Sequence, residues 1–215
     1  MAKGDFLLEV RAEEIPARML EPAIRELGTR VFEELVAANL APREIESGRP
    51  PGRPVLMLRG LPEGGADSEE QVVGPPVSVA YKPDGSPAPA LDGFLRRMEI
   101  NLEQVQRVST EKGEYVAAVK HRKGRPTSAV LAELLPKVLA GISWAKTMVW
   151  GSGQGPWVRP VHGVVALLDD AVVPFELFGI AAGRTTVGHP TLSPEPFDVH
   201  GLDDYRMKMA ERGIE

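Results

Sequence analysis

Four side chains between residues 159 and 189 are of types that bind anions or carry protons: Arg159, His162, Arg184 and His189. Arginine presents a planar fork of donors matched to phosphate or carboxylate, and histidine changes charge near neutral pH. They surround two apolar runs, Val161–Leu168 and Val172–Phe178, joined by Asp169-Asp170. Both runs are short and rich in β-branched or aromatic residues, so they read as a β-hairpin with a two-residue polar turn. Gly-rich loops, Gly151–Pro156 and Gly179–Gly188, flank it. Strands paired about that turn bring their outer ends together, and with them Arg159, His162 and the second loop. The expectation is one local cationic patch that contacts an anionic partner. The alternative is an ordinary core hairpin in which Arg159 and Arg184 pair with internal carboxylates such as Glu9 or Glu176. A histidine with no partner nearby in sequence is then structural.

Other chemistry is thinly represented. The chain has no GxxxxGK[ST], no HExxH, no GxSxG and no adjacent His-Asp pair, so the common phosphate, metal and nucleophile signatures are missing. His121, His162, His189 and His200 do not fall at metal-ligand spacing, and no metal site is expected. GSGQG at 151–155 leads into Trp157 rather than a helix, which makes it a connector and not a phosphate loop. Trp144, Trp150 and Trp157 bracket it; they can stack on bases or fill a core, and beside buried strands the core is expected. Glu13-Glu14 just before Pro16 reads as helix-start acids, favoured by the helix dipole, rather than a catalytic dyad.

The elements that must position these residues follow from periodicity. Phe6–Val10 is a strand, and Pro16–Asn39 carries apolar residues at helical spacing from Met19 to Val36. Ala41–Pro54 reads as a loop and Val55–Leu61 as a strand. Gln71–Gly74 and Val77–Tyr81 are two short strands broken by Pro75-Pro76. Lys82–Pro89 is turn-rich, with a subdomain break expected near 82–90. Ala90–Met98 is helical, Asn101 caps a short helix to Val105, and Tyr115–Lys120 is a strand. Thr127–Ala140 is a strongly amphipathic helix that Pro136 should kink. Pro190–Pro196 reads as a domain edge before a helix over Leu202–Arg212. The expected fold is α/β (α+β): a mixed, mainly antiparallel sheet with a central β-hairpin, packed by two long amphipathic helices. Residues 1–190 form the main domain and 191–215 a linker and the start of a helical region. The chain stops at Glu215 without a clear cap, as a piece of a longer polypeptide does.

Composition narrows the class. The 215 residues are 43% hydrophobic and 26% charged, a globular balance for one large domain or two small ones. The net charge of −5 lacks a basic footprint for nucleic acid, so any RNA contact must be local. The absence of cysteine excludes disulfides, thiolate metal sites and a thiol nucleophile. No apolar run of about 18 residues is present, and the N-terminus lacks a signal-peptide core. The expected location is the cytoplasm, with no membrane partner.

Four segments, MVWG at 148–151, WVRPVHGVVALL at 157–168, VVPFELFGI at 172–180 and GRTTVGH at 183–189, resemble in order and spacing the N-terminal region of the bacterial glycyl-tRNA synthetase β subunit. The opening FLLEVRAEEIP matches too, through Glu9, Glu13, Glu14 and Pro16. The resemblance implies a non-catalytic part of a glycine–tRNA ligase, contributing to tRNA binding or subunit assembly for protein synthesis. In that α2β2 enzyme glycine and ATP react in the α subunit. It implies as partners the α subunit and glycine tRNA but no DNA. No cofactor is expected in this chain; ATP and magnesium belong to the α subunit. Arg159, His162, Arg184 and His189 are the tRNA- or partner-binding residues to test. Several basic positions of the family pattern differ. Its PRRL is Gly52-Arg53-Pro54-Val55-Leu56 here, the Lys before the Gly-Pro of the third strand is Val73, and the Arg of MRWG is Val149. Val187 and Pro190 flank Gly188-His189 where the family has RGHRF. Fewer cations mean fewer phosphate contacts and weaker, less salt-dependent RNA binding. The other reading is a repurposed stand-alone domain: a hydrolase or editing-type enzyme using His162 or His189 with an acid, or a protein-binding module.

Overall fold

The computed structural model describes residues 3–48, 53–111 and 113–214. In chain order the elements are β1 (Lys3–Ala12), α1 (Ala17–Ala37), β2 (Glu44–Gly48), β3 (Val55–Pro62), β4 (Ser68–Pro76), α2 (Val77–Ala80), α3 (Pro89–Met98), β5 (Val105–Thr110) and β6 (Gly113–Arg122). They continue with α4 (Thr127–Ala140), β7 (Met148–Trp150), β8 (Gln154–Trp157), β9 (Val161–Leu168), β10 (Ala171–Val172), β11 (Glu176–Leu177), β12 (Ile180–Gly183), β13 (Thr185–Val187), β14 (Pro196–Asp198) and α5 (Leu202–Glu211). The chain divides into two compact units: residues 1–65 with 125–215, and residues 66–124 between them. Residues 82–90 lie inside the second unit, and α5 belongs to the first.

The first unit is a sheet in the order β11-β12-β9-β1-β3-β2, with β10 added to β9. Every pairing is antiparallel except β12 with β9. The expected α/β class with a mainly antiparallel sheet is what forms. β1 is central because Phe6, Leu7, Leu8 and Val10 are all fully buried, and a strand apolar on both sides needs cover on both. Alternation along the strands then sorts the faces. Phe6, Leu8, Val10, Leu56, Leu58, Val164 and Ala166 share a core with α1 and α4. Leu7, Val55, Met57, Val165 and Leu167 meet Leu202, Tyr205 and Met209 of α5. Each leucine buried this way contributes about 2 kcal/mol relative to exposure.

The two long helices occupy the expected places. Leu20, Ile24, Leu27, Val31 and Leu35 form the buried face of α1, and Val130, Leu131, Leu134, Leu135, Val138 and Leu139 that of α4, which continues past Pro136. The last carbonyls of α4 lack intrahelical donors. The Trp157 indole N–H donates to Leu139 O at 2.9 Å, and Arg30 of α1 donates to Gly141 O at 2.6 Å. Trp157 is fully buried and meets Trp144 edge-to-face at 5.1 Å, so these rings are core.

The central hairpin forms, but its second strand is broken. β9 covers the first run, and Asp169 turns the chain with φ 52°. Ala171 and Val172 pair back onto Leu168 and Leu167, and Val173 N–H adds one bond to Ala166 O at 3.0 Å. Pro174 has no N–H to continue the ladder. The chain instead makes a second tight turn at Phe178-Gly179, with φ 52° and 84°, between β11 and β12. β12 then joins β9 in parallel, Ala182 opposite Val164. Part of the expected Gly179–Gly188 loop is therefore strand, as are β2 within the expected Ala41–Pro54 loop and the β7–β8 hairpin around the Gly-rich connector.

The second unit is a three-stranded antiparallel sheet, β4-β6-β5. Leu91, Phe94 and Met98 of α3 pack on its Val116 and Ala118. The expected break at Pro75-Pro76 shifts. Both prolines end one continuous strand, and Pro76, with φ −55°, starts the short helix α2 in place of a Val77–Tyr81 strand. Asn101 caps a single 3-10 turn at Leu102–Gln104 through a capping box with Gln104.

Candidate functional site

The four cationic or titratable residues do not converge. Arg159 and His162 lie where β9 enters the sheet and β1 leaves it: Glu13 N–H donates to Pro160 O at 3.1 Å, and Arg159 Nε donates to Glu14 O at 3.2 Å. His162 Nε2 is 3.9 Å from Glu13 Oε1, beyond hydrogen-bond reach, with both side chains half exposed. Arg11 joins them, donating through Nη2 to His162 O at 3.3 Å. Among the described residues neither Arg11 nor Arg159 has a carboxylate in ion-pair distance.

Arg184 lies at the other end of β9, a strand that spans about 23 Å. It reaches Asp170 of the hairpin turn, Nη1 to Oδ1 at 2.7 Å and Nη2 to the backbone O at 3.0 Å. His200 Nδ1 approaches the same Oδ1 at 2.9 Å. These bonds, that of Arg184 first and that of His200 second, hold the Asp170 carboxyl below its ordinary range. The expected single patch placed the Gly179–Gly188 loop at the outer end of an unbroken Val172–Phe178 strand, but inside that loop the chain forms β12. Because it runs parallel to β9, the arginine after it exits beside the turn. The internal partner of Arg184 is thus Asp170, and neither Glu9 nor Glu176. His189 stands apart again, its Nδ1 accepting from Thr191 N–H at 3.2 Å and Leu192 N–H at 3.3 Å.

A second polar cluster is buried on the α5 face of the sheet. Glu9 of β1, Arg53, Thr186 of β13 and Tyr205 of α5 are each 3% exposed or less. Thr186 Oγ1 donates to Glu9 Oε1, and Tyr205 OH donates to Oε2 at 2.6 Å. Arg53 Nη1 approaches Oε2 at 3.5 Å and donates to Val187 O at 2.6 Å, while its Nη2 donates to Gly188 O at 2.6 Å. Burial first, then the Glu9 charge, raise the Tyr205 pKa, so its hydroxyl stays a donor. The cluster ties four segments distant in sequence into one joint. At this burial it meets no solute, and its work is positioning. Sequence reading misses it because its members are isolated polar residues in four separate runs; the one local signal is a glutamate inside the otherwise apolar Phe6–Val10.

Among the described residues no group of three or more His, Cys, Asp or Glu could hold a metal ion, and no helix is long and apolar enough to cross a membrane.

Comparison with known proteins fits this chain closely to one family. A family model described as glycyl-tRNA synthetase beta subunit matches residues 6–215. The chain is 39% identical over 201 residues to the glycine–tRNA ligase beta subunit of Geobacter sulfurreducens, covering 94% of this chain and 29% of that protein. It is 36% identical over 208 residues to that of Lawsonia intracellularis, with 97% and 30% covered. To that of Acidobacterium capsulatum it is 41% identical over 192 residues, with 88% and 27% covered. The chain therefore spans less than a third of the length of these curated relatives.

Proposed function

The chain belongs to the glycyl-tRNA synthetase β-subunit family, and from that membership we propose that it is the N-terminal, non-catalytic part of a glycine–tRNA ligase β subunit. It contributes to tRNA binding and subunit assembly for protein synthesis in the cytoplasm. Its partners in this reading are the α subunit, where glycine, ATP and magnesium are handled, and glycine tRNA. The observation that carries the proposal is the family match over residues 6–215. The geometry supports a positioning role: the polar residues that the fold does bring together, Glu9, Arg53, Thr186 and Tyr205, fix segments to one another and are closed to substrate. Arg53 bears on the differing basic positions, because this cation is held by Glu9 and backbone carbonyls instead of facing a phosphate.

Contact with tRNA is assigned to the end of the sheet bearing Arg11, Arg159 and His162, where among the described residues no carboxylate neutralises the two guanidinium groups. Arg184 is committed to Asp170. The test is carried out on the purified chain. Alone it should give no glycine-dependent ATP–pyrophosphate exchange above a no-protein blank; exchange that survives repurification overturns the proposal. Arg159→Ala should weaken glycine tRNA binding about three- to tenfold, as expected for one phosphate contact, at unchanged melting temperature. Arg184→Ala should lower the melting temperature and leave binding by the folded fraction alone. The reverse pattern removes Arg159 from the interface.

A further inference from the structure

The second unit carries a feature separate from the residues of the first to which tRNA contact is assigned. A notch of about 410 Å³ opens between strand β4 and helix α3, lined by Val73, Gly74 and Pro75 on one side and by Gly93, Phe94 and Arg97 on the other. Gly74 lets the strand press directly on the Phe94 ring; a Cβ there would come within 2.9 Å of it. Gly93 leaves the helix side bare, since a Cβ added there would meet nothing within 4 Å. Val73 is 48% exposed at the lip. Arg97 also lines it, its guanidinium 5.7 Å from the Phe94 ring centroid. Among the described residues no carboxylate pairs with it, and the notch has no acidic wall.

β4 is also an edge strand: β6 pairs one side of it, and among the described residues no strand pairs the other. An open edge presents unpaired N–H and C=O groups that another extended chain can complete. Glu69 and Glu70 stand at its start, and Pro75-Pro76, without N–H donors, close its end. The stretch left for pairing is Gln71–Gly74, beside the notch. An added strand places alternate side chains towards α3, into the slot, while its backbone bonds to β4. The charge that lines the slot is positive and has no carboxylate partner among the described residues, and the rest of its lining is apolar or glycine. This selects a segment with apolar side chains and a carboxylate that reaches Arg97.

We propose that the slot between β4 and α3 is a docking site for an extended, carboxylate-bearing peptide segment of another protein, bound as an added strand on β4. The probe is an array of random hexapeptides with free C-terminal carboxylates, screened with the full chain. Enriched peptides should share an apolar residue together with an acidic side chain or the terminal carboxylate. Their binding should fall at least tenfold with Arg97→Glu and return when the acidic residue of the peptide is exchanged for lysine. Gly93→Leu, which fills open space and leaves the core untouched, should abolish binding with no loss of melting temperature. Bound peptide should slow hydrogen exchange at the amides of Gln71–Gly74. The proposal is overturned if no peptide is enriched over the Gly93→Leu protein, or if enriched peptides bind both variants as well as the parent. It is also overturned if protection falls outside β4, or if a uridine decamer and not peptide protects these amides.

Discussion

Glu9 shows how far a single residue can depart from its local sequence. Leu7, Leu8 and Val10 beside it are fully buried, and the carboxylate is 1% exposed among them. A buried charge is tolerated when donors surround it, and here Tyr205, Thr186 and Arg53 supply them. Removing one neutral donor is milder than removing the cation. Tyr205→Phe should cost about 1.5–3 kcal/mol, the range for a hydrogen bond to a charged group, read from urea denaturation of the first unit. Arg53→Met should cost more, about 3–5 kcal/mol, because it leaves Glu9 buried without a counter-charge and frees the carbonyls of Val187 and Gly188. Equal losses would mean that packing, and not charge compensation, holds the joint. Arg159 and His162 were visible in the sequence as a pair, since they are three residues apart at one strand entrance. Arg184 and His189 were visible as residue types but not as places. Where they end up depends on the direction of β12, which is a tertiary property.

At the scale of elements, legibility followed the length of the apolar pattern. α1, α4, β9 and β3 fall close to the expected bounds because each buries a long periodic or continuous run. β2 reads EIESG and is mostly exposed; β5 reads VQRVST, without apolar–polar alternation. Neither has a local signal, and both owe their structure to the strand beside them. The β10–β12 region failed for a different reason. Pro174 divides an apolar run that composition alone makes continuous. The hairpin turn nevertheless gains a tertiary fastening, since Asp170 holds both Arg184 after β12 and His200 ahead of α5. Its folded pKa lies below its unfolded one. The stabilisation is therefore complete above the ordinary aspartate value of about 3.9 and is lost as pH falls through the lower folded value. Asp170→Asn should melt up to about 2 °C below the parent at pH 6, the small shift expected of an exposed pair. Scans down to pH 2.5 should show the two curves converging. A gap that does not change with pH would mean that the charge of Asp170 is not what fastens the turn.

The division of the whole chain is the feature least visible in sequence, because composition hardly changes across residues 65 and 125 and both junctions lie among ordinary loops. In the folded chain those junctions are neighbours. Gly65 N–H donates to Arg125 O at 3.0 Å, Gly64 bridges Pro126, and Thr127 N–H donates to Glu63 O at 3.0 Å. Thr127 Oγ1 also bonds Pro62 O, so the end of β3 and the start of α4 are stitched together inside the first unit. The intervening 66–124 has its own sheet, helix and core around Leu91, Phe94 and Val116. A chain whose exit and entry points already touch loses little when the excursion is removed and the ends are joined by a short Gly-Ser link, because closing a short loop costs little entropy. Excision of residues 66–124 should therefore leave a protein that unfolds cooperatively. Its melting temperature should lie within about 5 °C of the parent, equivalent to roughly 1–2 kcal/mol. The Tyr205→Phe penalty should be undiminished in it, since the buried joint lies wholly in the first unit. Arg159-dependent tRNA binding should persist, while capture of array peptides should vanish. Loss of cooperative unfolding would show that the first unit needs the second to fold, and loss of tRNA binding with the fold intact would move that contact into residues 66–124.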